Sequence, residues 1–253
     1  MLTACNKDND EASSQVYTSG NNSAKHLAKI TVINDHGYNT MSYRFDWDED
    51  QLRHIYISEE GYLNYEVTID YSGNTINRCF VYDYDEQSGK MLDFNYTSGQ
   101  LTSITSPNFD GITFQYLGNK LSDIISSDTR LSLTWNDGNI GRLISYGDFD
   151  VRDIEYDNKY NPLNDIFSTI FPGWNASINN PTRMVSDNKV LNIMYEFSNG
   201  SPTIATITNS DGFAKLYYQY SDGSGVRPPT EDKLISRKGN KKSYIPLPNV
   251  FLH

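Results

Sequence analysis

A chain of 253 residues is long enough for one large all-β domain with its own core and no disulfide staples. Its net charge of −11 excludes a general nucleic-acid binder, which needs a basic footprint, and excludes simple electrostatic attachment to anionic lipid. The 19 Tyr, 11 Phe and 3 Trp favour strands, and the two cysteines, Cys5 and Cys79, suggest neither a disulfide framework nor a metal site.

The chain opens Met1-Leu2-Thr3-Ala4-Cys5, and Leu-Thr-Ala-Cys resembles a bacterial lipobox, the cleavage site of lipoprotein signal peptides. No basic or apolar leader segment precedes it in this sequence. The resemblance implies that residues 1–5 are the lipobox remnant and that Cys5 carries the acyl chains. The membrane is then a partner through lipid, and several acyl chains make a stable anchor where one is marginal. Residues 6–27, rich in Ser, Asn and Asp, read as a flexible tether.

Residues 28–220 read as one β-hairpin repeat domain. Lys29 to Ile33 is a first strand, and five hairpin units follow. Their inward residues are Tyr43, Phe45 and Trp47; Val67, Ile69 and Tyr71; Leu92, Phe94 and Tyr96; Ile112, Phe114 and Tyr116; and Leu131, Leu133 and Trp135. Each unit turns on Gly, Asn, Asp or Ser and returns on a Leu or Ile five residues after the aromatic. A second apolar residue follows three further on, as in Tyr116, Leu121 and Ile124. The aromatic recurs every 19 to 25 residues, which marks a repeat architecture. Two looser units start at Ile154 and Ile193 and return late, on Leu163 and Ile204, and Leu216 to Tyr220 is the last strand.

Between the loose units, Asn161 is an N-cap, Pro162 stands at the first helical position, and apolar residues fall at helical spacing. A short helix over residues 162–171 follows, ended by Pro172-Gly173. It should pack on the apolar sheet face or close one end of it. Residues 221–253, rich in Pro and Lys, read as a disordered extension.

Polar residues alternate with the apolar ones in nearly every unit, so one sheet face is dry. About sixteen short strands in an antiparallel meander cannot stay flat, and curling onto the dry face gives a barrel or half-barrel. A transmembrane or transporter-like barrel shows the same alternation and predicts a continuous outward apolar band. Strands of five to seven residues are short for it.

The aromatic–turn–Leu units, with Tyr82-Asp83-Tyr84-Asp85 and Tyr156-Asp157-Asn158, loosely resemble the tyrosine-aspartate (Rhs-like) repeats of bacterial shell-forming toxins and cell-wall proteins. From about Ala28 to Tyr220 the chain looks more like Bacteroidetes lipoproteins of unknown function with a porin-like fold. The lipobox, the hairpin array, Tyr156 to Pro162 and Asn179 to Thr182 carry that likeness. It implies an outer-membrane lipoprotein of the cell envelope and brings no catalytic residues.

The four histidines are scattered, and Asp46-Trp47-Asp48-Glu49-Asp50 lacks the Gly and Glu of a calcium loop, having Gln51 and Ile57 there. No nucleophile elbow, phosphate loop or dinucleotide fingerprint is present, so no cofactor, metal or catalytic residue is expected. The expected function is non-enzymatic binding or scaffolding for a glycan or an envelope protein. A carbohydrate-active hydrolase is the alternative, since 32 acidic residues could supply two carboxylates. The candidate ligand-binding residues are Trp174, after the helix, and Tyr217, out of phase with Leu216, Tyr218 and Tyr220 and so expected to face water.

Overall fold

The computed structural model describes residues 25–35, 39–107, 109–146, 149–170, 179–186, 189–210 and 212–228. Sixteen antiparallel strands form a meander that closes on itself, with β1 (Leu27–Asn34) pairing β16 (Gly212–Tyr220). Closure removes both sheet edges. The intervening strands are β2 (Asn39–Asp48), β3 (Gln51–Glu59), β4 (Tyr62–Ser72), β5 (Thr75–Asp83), β6 (Ser88–Thr97), β7 (Gln100–Ser106) and β8 (Phe109–Leu117). They continue with β9 (Lys120–Ile125), β10 (Arg130–Asn136), β11 (Asn139–Ser145), β12 (Phe149–Tyr160), β13 (Asn179–Ser186), β14 (Lys189–Ser198) and β15 (Ser201–Asn209). Among the described residues one helix, α1 (Leu163–Ile170), lies between β12 and β13 in the chain.

The hairpin rule has a geometric cause. In a regular strand, residues three apart point to opposite faces. Yet Leu101 and Ile104 are both buried, at 0% and 2% exposure. A β-bulge reconciles them: Asn95 pairs with Ser103 and Tyr96 with Leu101, leaving Thr102 as the extra residue. The same shift recurs in the hairpins that carry Trp47, Tyr71, Tyr116 and Trp135. It also recurs in β14–β15, where Phe197 pairs with Pro202 and Ala205 is buried. That unit therefore returns on Pro202 and Ala205 by the same spacing, and Ile204 is not its return. The turns fit as well: Ser98-Gly99, Asp137-Gly138 and Asn199-Gly200 hold both central residues at positive φ, as a type I′ hairpin turn requires.

Beyond each bulge the return strand loses its ladder partner on the side of the next hairpin. The β7–β8 pairing, for example, reaches Ser103 but not Leu101. An aromatic from the next hairpin satisfies the freed carbonyl. Tyr116 Oη donates to Leu101 O at 2.9 Å, Tyr71 Oη to Leu52 O at 3.0 Å and Trp135 Nε1 to Leu121 O at 2.6 Å. Trp47, Tyr156 and Tyr220 do the same for Leu27, Ile140 and Pro202. Phe197 has no donor, and Tyr96 Oη is buried with no partner.

This ring of bonds sits at one end of the barrel, and α1 closes the same end. Asn161 Oδ1 accepts from Leu163 N at 3.1 Å, the cap expected of it. Ile166 and Ile170, one turn apart, are buried at 4% and 2% and join the barrel core. The helix reaches β3, almost opposite its own strands in the sixteen-strand ring. Leu163 is thus the first residue of the helix rather than the return of the Ile154 unit. The return strand is β13, where Pro181 pairs with Tyr156. Asp157 fixes this join, accepting from Asn180 N at 3.1 Å and from Asn180 Nδ2.

A circular ring of sixteen strands would be roughly 30 Å across, too wide for side chains of opposite walls to meet. Ile69, Cys79 and Ile104 are nevertheless at most 2% exposed, and buried residues from both walls form one cluster. The lumen is packed, not held open as a circular pore. Outward positions carry charge at mid-strand, in cross-strand pairs such as Arg78–Asp93 at 2.6 Å, Arg142–Asp150 at 2.5 Å and Glu155–Arg183 at 3.1 Å. Asp123 accepts from Arg130, Ser132 and Ser122. Burial opposes its charge, but those three hydrogen bonds hold its carboxyl below the usual range. A lipid-facing wall needs an uninterrupted apolar band, and these described positions do not form one.

Candidate ligand-binding wall

Among the described residues, aromatic side chains gather on the outer surface of β3 to β6. On β5, Cys79 and Val81 point inward, at 1% and 7% exposure, so Phe80 and Tyr82 point outward, and Tyr84 follows just past the strand. Gly89 on β6, which pairs with Tyr82, leaves room for the Phe80 ring, since a Cβ there would sit 2.4 Å from that ring. Phe80 therefore covers bare backbone on a diagonal neighbour. Tyr82 and Tyr84 meet edge to face, with centroids 4.8 Å apart and planes at 80°.

The register places Glu66 between Tyr56 on β3 and Tyr82 on β5. Tyr84 Oη donates to Glu66 Oε2 at 2.8 Å, and that bond, with a smaller contribution from desolvation, raises the Tyr84 pKa. His54 Nδ1 lies 3.8 Å from Glu66 Oε1 and 3.3 Å from Thr68 Oγ1, and the His54 ring stacks beside Tyr56. The Arg44 guanidinium covers Tyr56 at 3.9 Å and pairs with Asp46 at 3.3 Å. The wall is thus a right-angled aromatic corner around a carboxylate, with Tyr84 40% exposed. Such a surface offers ring faces for stacking and a strong acceptor for hydroxyl or ammonium groups.

A second polar cluster sits at the helix end. His26 stacks on Trp47 at 4.3 Å, and its Nε2 lies 3.1 Å from Asp50 Oδ1. Tyr160 hydrogen-bonds Asp165 in α1, whose carboxyl is raised mainly by burial. Asp50 is largely exposed on its turn, and these groups tie the entering chain to that turn and helix rather than lining a cleft.

The expected site residues fare differently. Cys5 and Trp174 lie outside the described residues. Tyr217 does not face water: it is 8% exposed, and burial and the Glu196 carboxylate raise its hydroxyl. The chain beyond its strand doubles back alongside it, so that Gly225 bridges Gln219 and Val226 N donates to Tyr218 O. The sequence reading passed over Phe80, Tyr82, Tyr84 and Glu66. The signal was present, because Cys79-Phe80-Val81-Tyr82 is apolar at both strand parities.

No protein-family model matches this chain, and no curated protein does. Among solved structures it is similar to a porin-like protein from Bacteroides uniformis, at 13% identity and TM-score 0.49, over 77% of this chain and 96% of that one. It is also similar to a porin-like protein from Bacteroides vulgatus, at 9% identity and TM-score 0.40, over 78% of this chain and 99% of that one. Likenesses this remote bear on neither ligand nor activity.

Proposed function

We propose that this protein is a non-enzymatic, lipid-anchored cell-envelope barrel that binds a glycan on its outer wall. The observation behind the ligand class is the Tyr82–Tyr84 corner around Glu66, half-buried at Tyr82 and exposed at Tyr84, where rings for stacking adjoin a hydrogen-bond acceptor. A protein partner adding a strand would need an open sheet edge, and the closed ring leaves none. The anchor rests on Leu2-Thr3-Ala4-Cys5 and the polar stretch after it. A chain of net charge −11 needs an acyl group to stay on an anionic membrane.

A glycan array probed with the full chain tests the ligand class. Binding by the wild type and its loss in a Tyr82→Ala/Tyr84→Ala variant of unchanged melting temperature is expected. No bound glycan, or binding indifferent to the double substitution, would refute it. Metabolic labelling with a clickable fatty acid tests the anchor: label should appear on the wild type and vanish in Cys5→Ala.

A further inference from the structure

The outer wall is not charged uniformly. On much of it arginines are answered by carboxylates, as in Arg44–Asp46, Arg78–Asp93, Arg142–Asp150 and Arg183–Glu155. From β14 to β16 that pattern stops. Cross-strand pairing sets Met194, Thr206 and Lys215 in one outward row and Asn192, Thr208 and Phe213 in the next, and neither row holds a carboxylate. Glu196 and Asp35 lie only at its borders. Met194 is 67% exposed and Phe213 44%, and Val190, on the same side of β14, is exposed as well. Large apolar side chains left bare on a charge-poor face mark a contact surface. Lys215, and Lys29 on β1, point outward too, and among the described residues neither has a carboxylate partner.

Resting on the anchor reading, we propose that this face is the one the barrel lays against the membrane, and that its partner is a lipid surface with anionic headgroups. An acyl anchor holds a chain to the bilayer without orienting it. β1, the first strand after the Cys5 stretch, is hydrogen-bonded to β16, so the chain enters the barrel beside this face. Met194, Phe213 and Val190 reach the boundary below the headgroups, and Lys215 and Lys29 meet the phosphates. The chain as a whole carries −11, so an anionic surface tolerates best a face that holds a lysine and no carboxylate at its centre. No transmembrane band is needed, because the barrel rests on the bilayer and does not cross it. The aromatic wall of β5, six strands round the ring from β15, stays clear of the lipid.

Fluorescence quenching tests this on the acylated full chain, reconstituted in vesicles of phosphatidylethanolamine and phosphatidylglycerol. A thiol-linked fluorophore goes onto Met194→Cys or, for comparison, onto Thr113→Cys on β8, which is exposed and half-way round the ring from β16. Cys79 is 1% exposed, and the parent chain serves as the unlabelled blank. Spin-labelled lipid should quench the fluorophore at position 194 and not at 113, and aqueous iodide should do the reverse. Phe213→Asp, an exposed change, should abolish the lipid quenching at 194 while the chain still floats with the vesicles. Equal lipid quenching at both positions, or iodide quenching at 194, would overturn the proposal and leave the anchor standing. Shielding of 194 from both quenchers would mean that protein covers this face, a second copy or a further segment of the chain, and would overturn it too. A wild-type chain that does not float with the vesicles would bring down the anchor reading, and this orientation with it.

Discussion

Replacing Tyr116 with Phe removes one hydroxyl and tests the ring of aromatic–carbonyl bonds. Tyr116 Oη donates to Leu101 O at 2.9 Å, and Leu101 is 0% exposed, beyond the end of the β7–β8 pairing. Without that donor the carbonyl has no route to water. An unsatisfied buried acceptor costs about 1–3 kcal/mol, so Tyr116→Phe should cost at least 1 kcal/mol. For a chain of this size that lowers Tm by roughly 2–4 °C per kcal/mol. Tyr96 occupies the equivalent place in its own hairpin, but its buried hydroxyl has no partner. Tyr96→Phe should therefore be neutral or stabilising, because it removes an unpaid desolvation and adds no cavity. Circular-dichroism melts of the two variants beside wild type decide the matter. A Tyr96→Phe loss as large as that of Tyr116→Phe would refute the bonding argument and leave only ring packing.

Deleting Thr102 removes a bulge and turns Leu101 or Ile104 outward, so the cooperative melt should disappear; a near-native melt would show that the bulge is dispensable. Ile170→Ala empties a 2%-exposed position under α1 and should cost about 2–5 kcal/mol in urea unfolding, with a cost below about 1 contradicting a packed plug. Burial pushes Tyr43, Tyr71 and Tyr116 up to about 12 from an ordinary 10.0. The unfolded chain therefore gives up these protons first, and stability should fall as pH rises from 10 to 12, read as a declining urea midpoint. Cys79, pushed up to about 12 by burial, should resist thiol reagents at neutral pH in a Cys5→Ser chain until it unfolds.

Much of the fold was legible because the repeat is written in side-chain chemistry. Alternation at Ile112, Phe114 and Tyr116 identified the dry face, and the Asn161-Pro162 cap located the helix to within a residue at each end. The bulge was present as an odd spacing, three residues from Leu121 to Ile124, which a regular strand cannot bury on one side. The hairpin of Phe197 was read as returning late, on Ile204, because Pro202 does not look like a return residue. Closure depends on β1 meeting β16, a pairing between residues nearly two hundred apart that no local pattern encodes. The outer wall was harder still. Tyr217 and Tyr82 share the same outward parity, yet Tyr217 is 8% exposed and Tyr82 half-buried, a difference that strand parity does not encode.

Tyrosine-selective labelling of the full chain, with and without a saturating bound glycan, tests the central claim most directly. Tyr82 and Tyr84 should be protected by the glycan, while Tyr146 and Tyr160, exposed elsewhere at 59% and 46%, should label at unchanged rates. Unchanged labelling of Tyr82 and Tyr84 alongside protection at another tyrosine would place the ligand off this wall and contradict the account.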